Sequence, residues 1–299
     1  MLPAIKPLLG PAARALRSKR IVFVADGALA NVPFAALQAP GPGRRPLVVD
    51  HEIVVAPSGL QLYAMRLAAG RRTRTRDRIA VIADPVYARN DARARWVDPG
   101  FQDFARLPGA AREAQEIAEI ARTRNLDVLD VTGFEANRQL VMSGRLSGYG
   151  IITFATAVQV DPEFPALSAL VLSQLDEAGH ALPERGRLYA FDIARLHLPA
   201  GLVVLSSCRT AMGSPITGRE QVGLAEAFFM AGARSILANV WDAEDAATAI
   251  LMGRFYRNLL RGGEYPVAAL RSAQLEMMLD SQWHQPRFWA GYELEGDWW

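Results

Sequence analysis

The sequence predicts an α/β sandwich, a mainly parallel sheet covered on both faces by helices, and three observations carry that prediction. Short β-branched apolar runs alternate along the chain with longer segments of helical pattern, the habit of parallel sheets whose strands are buried on both sides. With 299 residues, 51% hydrophobic and 21% charged, the chain has enough apolar material for a sizeable core and sits near the globular average. No internal repeat, low-complexity tract or sharp shift of composition divides it, so one domain over 1–299 is the economical reading, with 1–19 as a candidate N-terminal extension.

In chain order the predicted strands are IVFVA (21–25), EIVVA (52–56), IAVIA (79–83), DVLDV (127–131), IITFAT (151–156), LVVLS (202–206) and SILANV (235–240). Helices are predicted over 59–70, 110–124, 135–145, 219–231, 243–261 and 266–280. In the second of these, Ala114, Ile117, Ala118, Ile120 and Ala121 recur at helical spacing, and Arg112, Glu113, Glu116 and Glu119 are expected to fall largely elsewhere. Such a helix packs on a sheet. The stretch PGPGRRP (40–46) is a turn-rich loop. RRTRTRDR (71–78) reads as a solvated loop, because it has no interleaved aromatics. Near the C-terminus Trp283, Phe288, Trp289 and Tyr292 are expected to close the core and form an edge strand.

Several function classes are disfavoured at once. The 33 basic residues nearly balance the 31 acidic ones, giving a net charge of +2, so there is no strong field to steer nucleic acid. No apolar run approaches the roughly 20 residues that cross a bilayer, and no membrane role is expected. The single cysteine, Cys208, excludes an internal disulfide framework and a multi-thiolate metal site. Pro3, Pro7 and Pro11 break the short apolar stretch at the start, which does not read as a signal peptide, and a reducing cytoplasm is expected.

The informative region opens at Leu202. LVVL leads into SSCRTAMGSPITG (206–218), so Cys208 falls just past a buried strand, where the chain enters a Gly-containing loop. In open α/β sheets ligands gather outside the carboxyl ends of the strands. Position alone leaves two readings open, a reactive thiol or a small buried hydrophobe. A second strand of the same form, IITFAT, is followed by AVQVDPEFP (157–165). If the two lie side by side and parallel, the residue after Thr156 and the Cys208 thiol emerge at one edge. A cysteine protease needs a base there; the residue found is Ala157.

At this point the sequence resembles a known family. VFVADGALANVPFAAL (22–37), VVAPSGLQL (54–62), VIADPVY (81–87), LPGAAREAQEIA (107–118), TFATAVQVDPEFPALSALVLS (153–173), LVVLSSCRTAMG (202–213), GLAEAFFMAGARSILANVWDAEDAAT (223–248) and PRFWAGYELEGD (286–297) look like the blocks of a CHAT domain. CHAT domains are bacterial members of the caspase-like cysteine peptidase clan, which includes separase, gingipain and clostripain. The resemblance implies a caspase-like three-layer sandwich and cleavage of a protein substrate through a Cys–His dyad, with no cofactor and no metal needed for the chemistry. It makes Cys208 the nucleophile and puts Ala157 at the position of the general base, where the family has histidine. It also assigns the oxyanion hole to the N–H groups of Val158 and Cys208. Val158 stands where glycine is common and Ser207 where alanine is common.

The missing imidazole reads as an inactivated form, the alternative being a natural pseudopeptidase that binds peptides. Without a base the thiol returns towards its ordinary pKa of about 8.5, and proton transfer alone accounts for a loss on the order of 10² to 10⁴. None of His51, His180, His197 and His284 follows a matching strand end. For substrate recognition, NVWDAEDAAT (239–248) starts at a strand end, so Trp241, Asp242 and Asp245 are candidates to border the cleft. In separase-like relatives an acid in this neighbourhood receives a basic P1 side chain. Capping the helix near 243 is the competing role. Asp161, with an equally plausible turn role, and Asp192 are further candidates. The loop MGSPITGREQ (212–221) corresponds to one that moves or orders in the clan when an activator binds. Implied partners are a protein or peptide substrate and a regulator with TPR-like helical repeats, in a bacterial defence or programmed-death setting.

Overall fold

The computed structural model describes residues 9–10, 16, 20–25, 29, 32–39, 45–69, 77–89, 91–94, 104–161, 163–206, 222–241 and 243–298. Most of 1–19, of the basic run 71–78 and of the Pro/Gly loop 40–46 lies outside them, as does the loop 212–221.

The seven predicted strands all form: β1 (Arg20–Phe23), β2 (Glu52–Val55), β3 (Arg78–Pro85), β4 (Asp127–Gly133), β5 (Ile151–Ala155), β9 (Leu202–Leu205) and β10 (Ser235–Asn239). With β11 (Tyr292–Gly296) they make an eight-stranded sheet in the order β1-β2-β11-β10-β9-β5-β3-β4. The pairs β10-β9, β9-β5, β5-β3 and β3-β4 are parallel, as are β1-β2 and β2-β11. The two parallel blocks meet at one antiparallel seam, β10-β11. The expected C-terminal edge strand is therefore corrected to an interior one. Leu294 is fully buried between Leu237 and Val54, and that burial on both flanks is what an edge would have denied it.

Near-continuous apolar strands divide their side chains by parity between two cores. Along β3, Ile79, Val81 and Ala83 enter one cluster, and Ala80 and Ile82 the other. On β9, Leu202 and Val204 face the first, Val203 and Leu205 the second. The first face is covered by α2 (Pro108–Thr123), α4 (Asp245–Tyr256) and α5 (Pro266–Met278), the second by α3 (Val222–Ala231) and short helical turns. Between β2 and β3 lies α1 (Gly59–Ala69). Proline at the first position of α2 and of α5 sets φ where no N–H is required. The predicted helix 135–145 is reduced to Arg138–Met142, capped by the Asn137 side chain on the Leu140 N–H. Beyond Tyr256 the predicted helix 243–261 continues as a wider π-type turn over Arg257–Arg261. Among the described residues no helix is long and apolar enough to cross a membrane.

A second sheet, not anticipated from the sequence, is formed by β6 (Ala157–Gln159), β7 (Ala169–Val171) and β8 (Arg187–Tyr189), antiparallel in that order. Its strands have three residues each, too few for a period of two to stand out.

β11 is held in the interior by Gln274 of α5, whose buried amide donates to the carbonyls of Trp289 and Tyr292 at 3.1 and 3.0 Å. Gln274→Leu keeps the volume and withdraws that donor from both carbonyls. We expect it to lower the unfolding free energy in urea by about 1–3 kcal/mol, with no change in the slope against denaturant.

Candidate active site

β5 and β9 are neighbours and parallel, with Phe154 opposite Leu205. Ala157 lies three residues beyond Phe154, and Cys208 three beyond Leu205. Cys208 itself lies outside the described residues, as do Ser207 and Asp242. At Thr156 the chain leaves the large sheet for the small one. The Thr156 hydroxyl donates to the Val171 carbonyl, and Ala157 and Val158 then pair with Val171 and Leu170. Both Ala157 and Val158 are buried, on opposite faces as strand alternation requires.

Beneath the exit of β9 is a buried polar cluster in an otherwise apolar layer. Ser206 follows the parity of Val204 and faces α2, where its hydroxyl donates to the Glu113 carboxyl at 2.5 Å. Both side chains are buried. Burial pushes the Glu113 carboxyl up to about 8 against the lowering effect of that hydrogen bond, and the negative charges of Asp245 and Glu116 push the same way as burial. Next to it, Tyr256 of α4 is hydrogen-bonded to Thr153 of β5, and burial raises its hydroxyl strongly. The sequence expectation that Glu113 lies largely off the apolar face is corrected. Its spacing to Ile117 and Ile120 is that of one helix face, and that spacing was the signal available to find it.

On the next strand, Asn239 is buried with neither carboxamide atom hydrogen-bonded. It and Trp241 border Gly291, where a Cβ would collide with both. At the end of β3, Asp84 sits at φ 45°. Its carboxylate is gripped two-pronged by Arg93 and by Arg106, at 2.9–3.2 Å. Arg93 also holds the buried Asp91 at 2.6 Å. Burial opposes the charge on Asp91, and the bonds and charges of Arg93, with the charge of Arg106, outweigh it and hold that carboxyl below the usual range. This network pins Asp91, Arg93 and Arg106 to the carboxyl end of β3.

The remaining candidates divide. Trp241 packs against the core and donates its indole N–H to the Arg287 carbonyl at 3.1 Å. Asp245 accepts the Gly109 N–H at 2.6 Å, so it caps the first turn of α2 while lying in the first turn of α4. Burial raises its carboxyl. Asp161 accepts the N–H groups of Glu163 and Phe164 in a turn. Asp192 is buried, paired with Arg138 at 3.0 Å and bonded to the Tyr189 N–H. Of the histidines, His180 is exposed beside Asp176, His284 bonds the Ser281 carbonyl, and His197 is exposed before the amino end of β9. His51 is buried just ahead of β2.

A mainly parallel sheet between helical layers is the architecture of the caspase-like fold. The chain belongs to the CHAT domain family, whose model matches residues 3–297. It is 26% identical over 317 residues to human tetratricopeptide repeat protein 28, covering 94% of this chain but only 12% of that protein. Among solved structures it is similar to the Arg-specific cysteine proteinase gingipain R, with a TM-score of 0.52 at 9% identity, covering 83% of this chain and 55% of that one. It also resembles the Saccharomyces cerevisiae separase–securin complex, at 0.55 and 12%, covering 92% and 15%.

The Glu113 carboxyl is raised in the fold, so its contribution to stability is full below about pH 4.5 and is lost as pH rises through about 8. Glu113→Gln is expected to match the parent chain near pH 4.5. Above pH 8 it should be more stable by about 3–5 kcal/mol, read as a widening gap in urea midpoints.

Proposed function

We propose that this chain has the architecture of a cysteine endopeptidase acting on a protein substrate, with Cys208 as nucleophile and residue 157 as the seat of the general base. The register of β5 against β9 carries this reading, because it puts residue 157 and Cys208 the same number of residues beyond one hydrogen-bonded pair. In the active arrangement a histidine at 157 takes the thiol proton, the thiolate attacks the scissile carbonyl, and the imidazolium returns the proton to the leaving amine. The N–H groups of Val158 and Cys208 receive the oxyanion. With a methyl group at Ala157 the acid and base are both lacking, so the chain binds substrate and does not turn it over.

A basic P1 residue is the favoured specificity, in keeping with the Arg-specific proteinase among the similar structures. Asp242 is the favoured acid, because Asp161, Asp192 and Asp245 are each already engaged by donors of the fold. A helical-repeat regulator fits the repeat protein among the relatives, and the family resemblance favours a bacterial defence or programmed-death pathway. A second reading, a non-catalytic peptide-binding module, is favoured by the burial of Ala157 among apolar side chains, which leaves an imidazole little space.

Ala157→His separates the two. The peptidase reading expects cleavage of a protein or peptide library at least 10²-fold above the parent chain, abolished by adding Cys208→Ala. A folded Ala157→His chain that binds peptides and never cleaves them supports the module.

A further inference from the structure

We propose that the free edge of β1 is a docking slot for an extended, uncharged apolar segment of a partner protein, which is taken up as a further strand of the large sheet. β1 ends the strand order, four places from β9. At about 4.8 Å per strand the slot lies roughly 19 Å from the line of β9, apart from the candidate active site, and the inference stands independently of the peptidase reading.

A cavity of about 290 Å³ is lined by every residue from 21 to 25, together with Leu9, Leu16, Leu29 and Phe34. A cavity over one face of a strand meets every second residue, because side chains alternate. Here Ile21, Phe23 and Ala25 pack on one core cluster and Val22 on another, yet consecutive residues share a single cavity. It therefore runs along the edge of the strand, where the backbone forms a wall. Phe23 turns its carbonyl towards β2 and accepts the Ala56 N–H at 2.8 Å. By alternation the N–H and C=O of Val22 point the other way, to the side where, among the described residues, no strand pairs with β1.

The two edges of the sheet differ in chemistry. β4, at the opposite end, is blunted by charge: Asp127 is exposed and paired with Arg78, and Asp130 is paired with Arg122. Residues 21–25 carry no charge and no proline. Val24 is 60% and Leu29 41% exposed on the rim of the cavity. Among the described residues only apolar side chains line it, so an open backbone edge meets an apolar trough, the combination that strand addition uses.

Size and charge decide the occupant. A second copy offering its own β1 would meet five residues, an edge about 17 Å long and 10 Å deep, and bury roughly 350 Å² in all. A stable dimer needs about 1,200 Å². Leu9, Leu16 and Phe34 flank the edge from outside the strand, and β1 is half-buried over Arg20–Phe23, so the slot is recessed and admits a flexible segment rather than the edge of a folded sheet. A cavity of roughly 150 Å³ takes one benzene, and this one has room for about two medium-sized side chains. No charged side chain is available in the trough to pair with one from the segment, which is therefore uncharged where it lies in the slot.

Fluorescence anisotropy of the intact chain with a fluorescein-labelled peptide, Lys-Thr-Val-Ile-Val-Thr-Lys, tests this. Saturable binding is expected, with amide exchange slowed over residues 20–25 in hydrogen-exchange mass spectrometry. Methylating the Ile amide nitrogen blocks one edge of the peptide, and methylating both Val amide nitrogens blocks the other. One of the two should weaken binding at least tenfold, because it removes backbone pairing and keeps the side chains. Val24→Lys and Leu29→Asp, which place charge on the rim from exposed positions, should each weaken binding at least tenfold.

Absence of saturable binding overturns the proposal, as does protection confined to another segment. Both methylated peptides binding within twofold of the unmodified one also overturn it, since that is apolar adhesion without strand pairing. A parent chain that is dimeric by light scattering and becomes monomeric as Val24→Lys overturns it in favour of a second copy. Should Val24→Lys lose its native circular dichroism, Leu29→Asp decides, and binding within twofold of the parent overturns the proposal.

Discussion

The constraint on which the site depends is the hydrogen-bond register between β5 and β9. Parallel strands buried on both faces cannot slip by one residue without exchanging their two sets of side chains between cores. A slip of β9 would move Leu202 and Val204 from the layer under α2 and α4 to the layer under α3. The penalty is distributed over every strand in the five-stranded block. The pairing of Phe154 with Leu205 is therefore held by packing far from the carboxyl edge. The alignment of the exits of β5 and β9 is therefore set in the first place by that apolar interior.

The rim in turn is tied to the helical layer through α2. Three of its residues reach other elements along its length: Gly109 gives its N–H to Asp245, Glu113 receives Ser206, and Glu116 pairs with Arg257. Two of these partners belong to α4 and the turn that continues it, and the third is the last described residue before the segment that contains Cys208. A single helix thus carries both the apolar face that packs on β3 and the polar groups that anchor the exit of β9. The two functions share one face, because Glu113, Ile117 and Ile120 stand at helical spacing.

Much of this was legible in the sequence, and the reasons differ by element. Strands such as β3 and β9 announce themselves because burial on both faces leaves continuous runs of Ile, Val, Leu and Ala. The ends of β5 and β9, which made Ala157 and Cys208 candidates, were legible because a strand end is a local feature, and Cys208 itself lies outside the described residues. The interior place of β11 was not legible. YELEG carries two glutamates, which argue for an exposed edge. Burial holds both in a raised-pKa state, Glu293 with the Phe34 N–H as a donor and Glu295 near 7. The turn role of Asp161 is local, whereas the three-residue strands of the small sheet, the pairing of Asp192 with Arg138 and the bond from Gly109 to Asp245 depend on contacts up to 136 residues away. No local pattern encodes these.

The antiparallel seam also answers whether another histidine could serve Cys208. β2 runs opposite to β9, so its amino end, where His51 is buried, lies on the same rim as the carboxyl end of β9. Sharing a rim is not sufficient. β11 and β10 stand between β2 and β9, and three strand spacings of about 4.8 Å put His51 roughly 14 Å from the line of β9. A base must come within about 3 Å of the sulfur or act through one water. His197 precedes the amino end of β9 and so belongs to the opposite edge. Among the described residues only the exit of β5 is adjacent to β9, at the correct end, and on the side of the strand away from β10. On the peptidase reading, residue 157 is therefore the position at which an imidazole would have to be introduced, because the described sheet places no histidine beside the exit of β9.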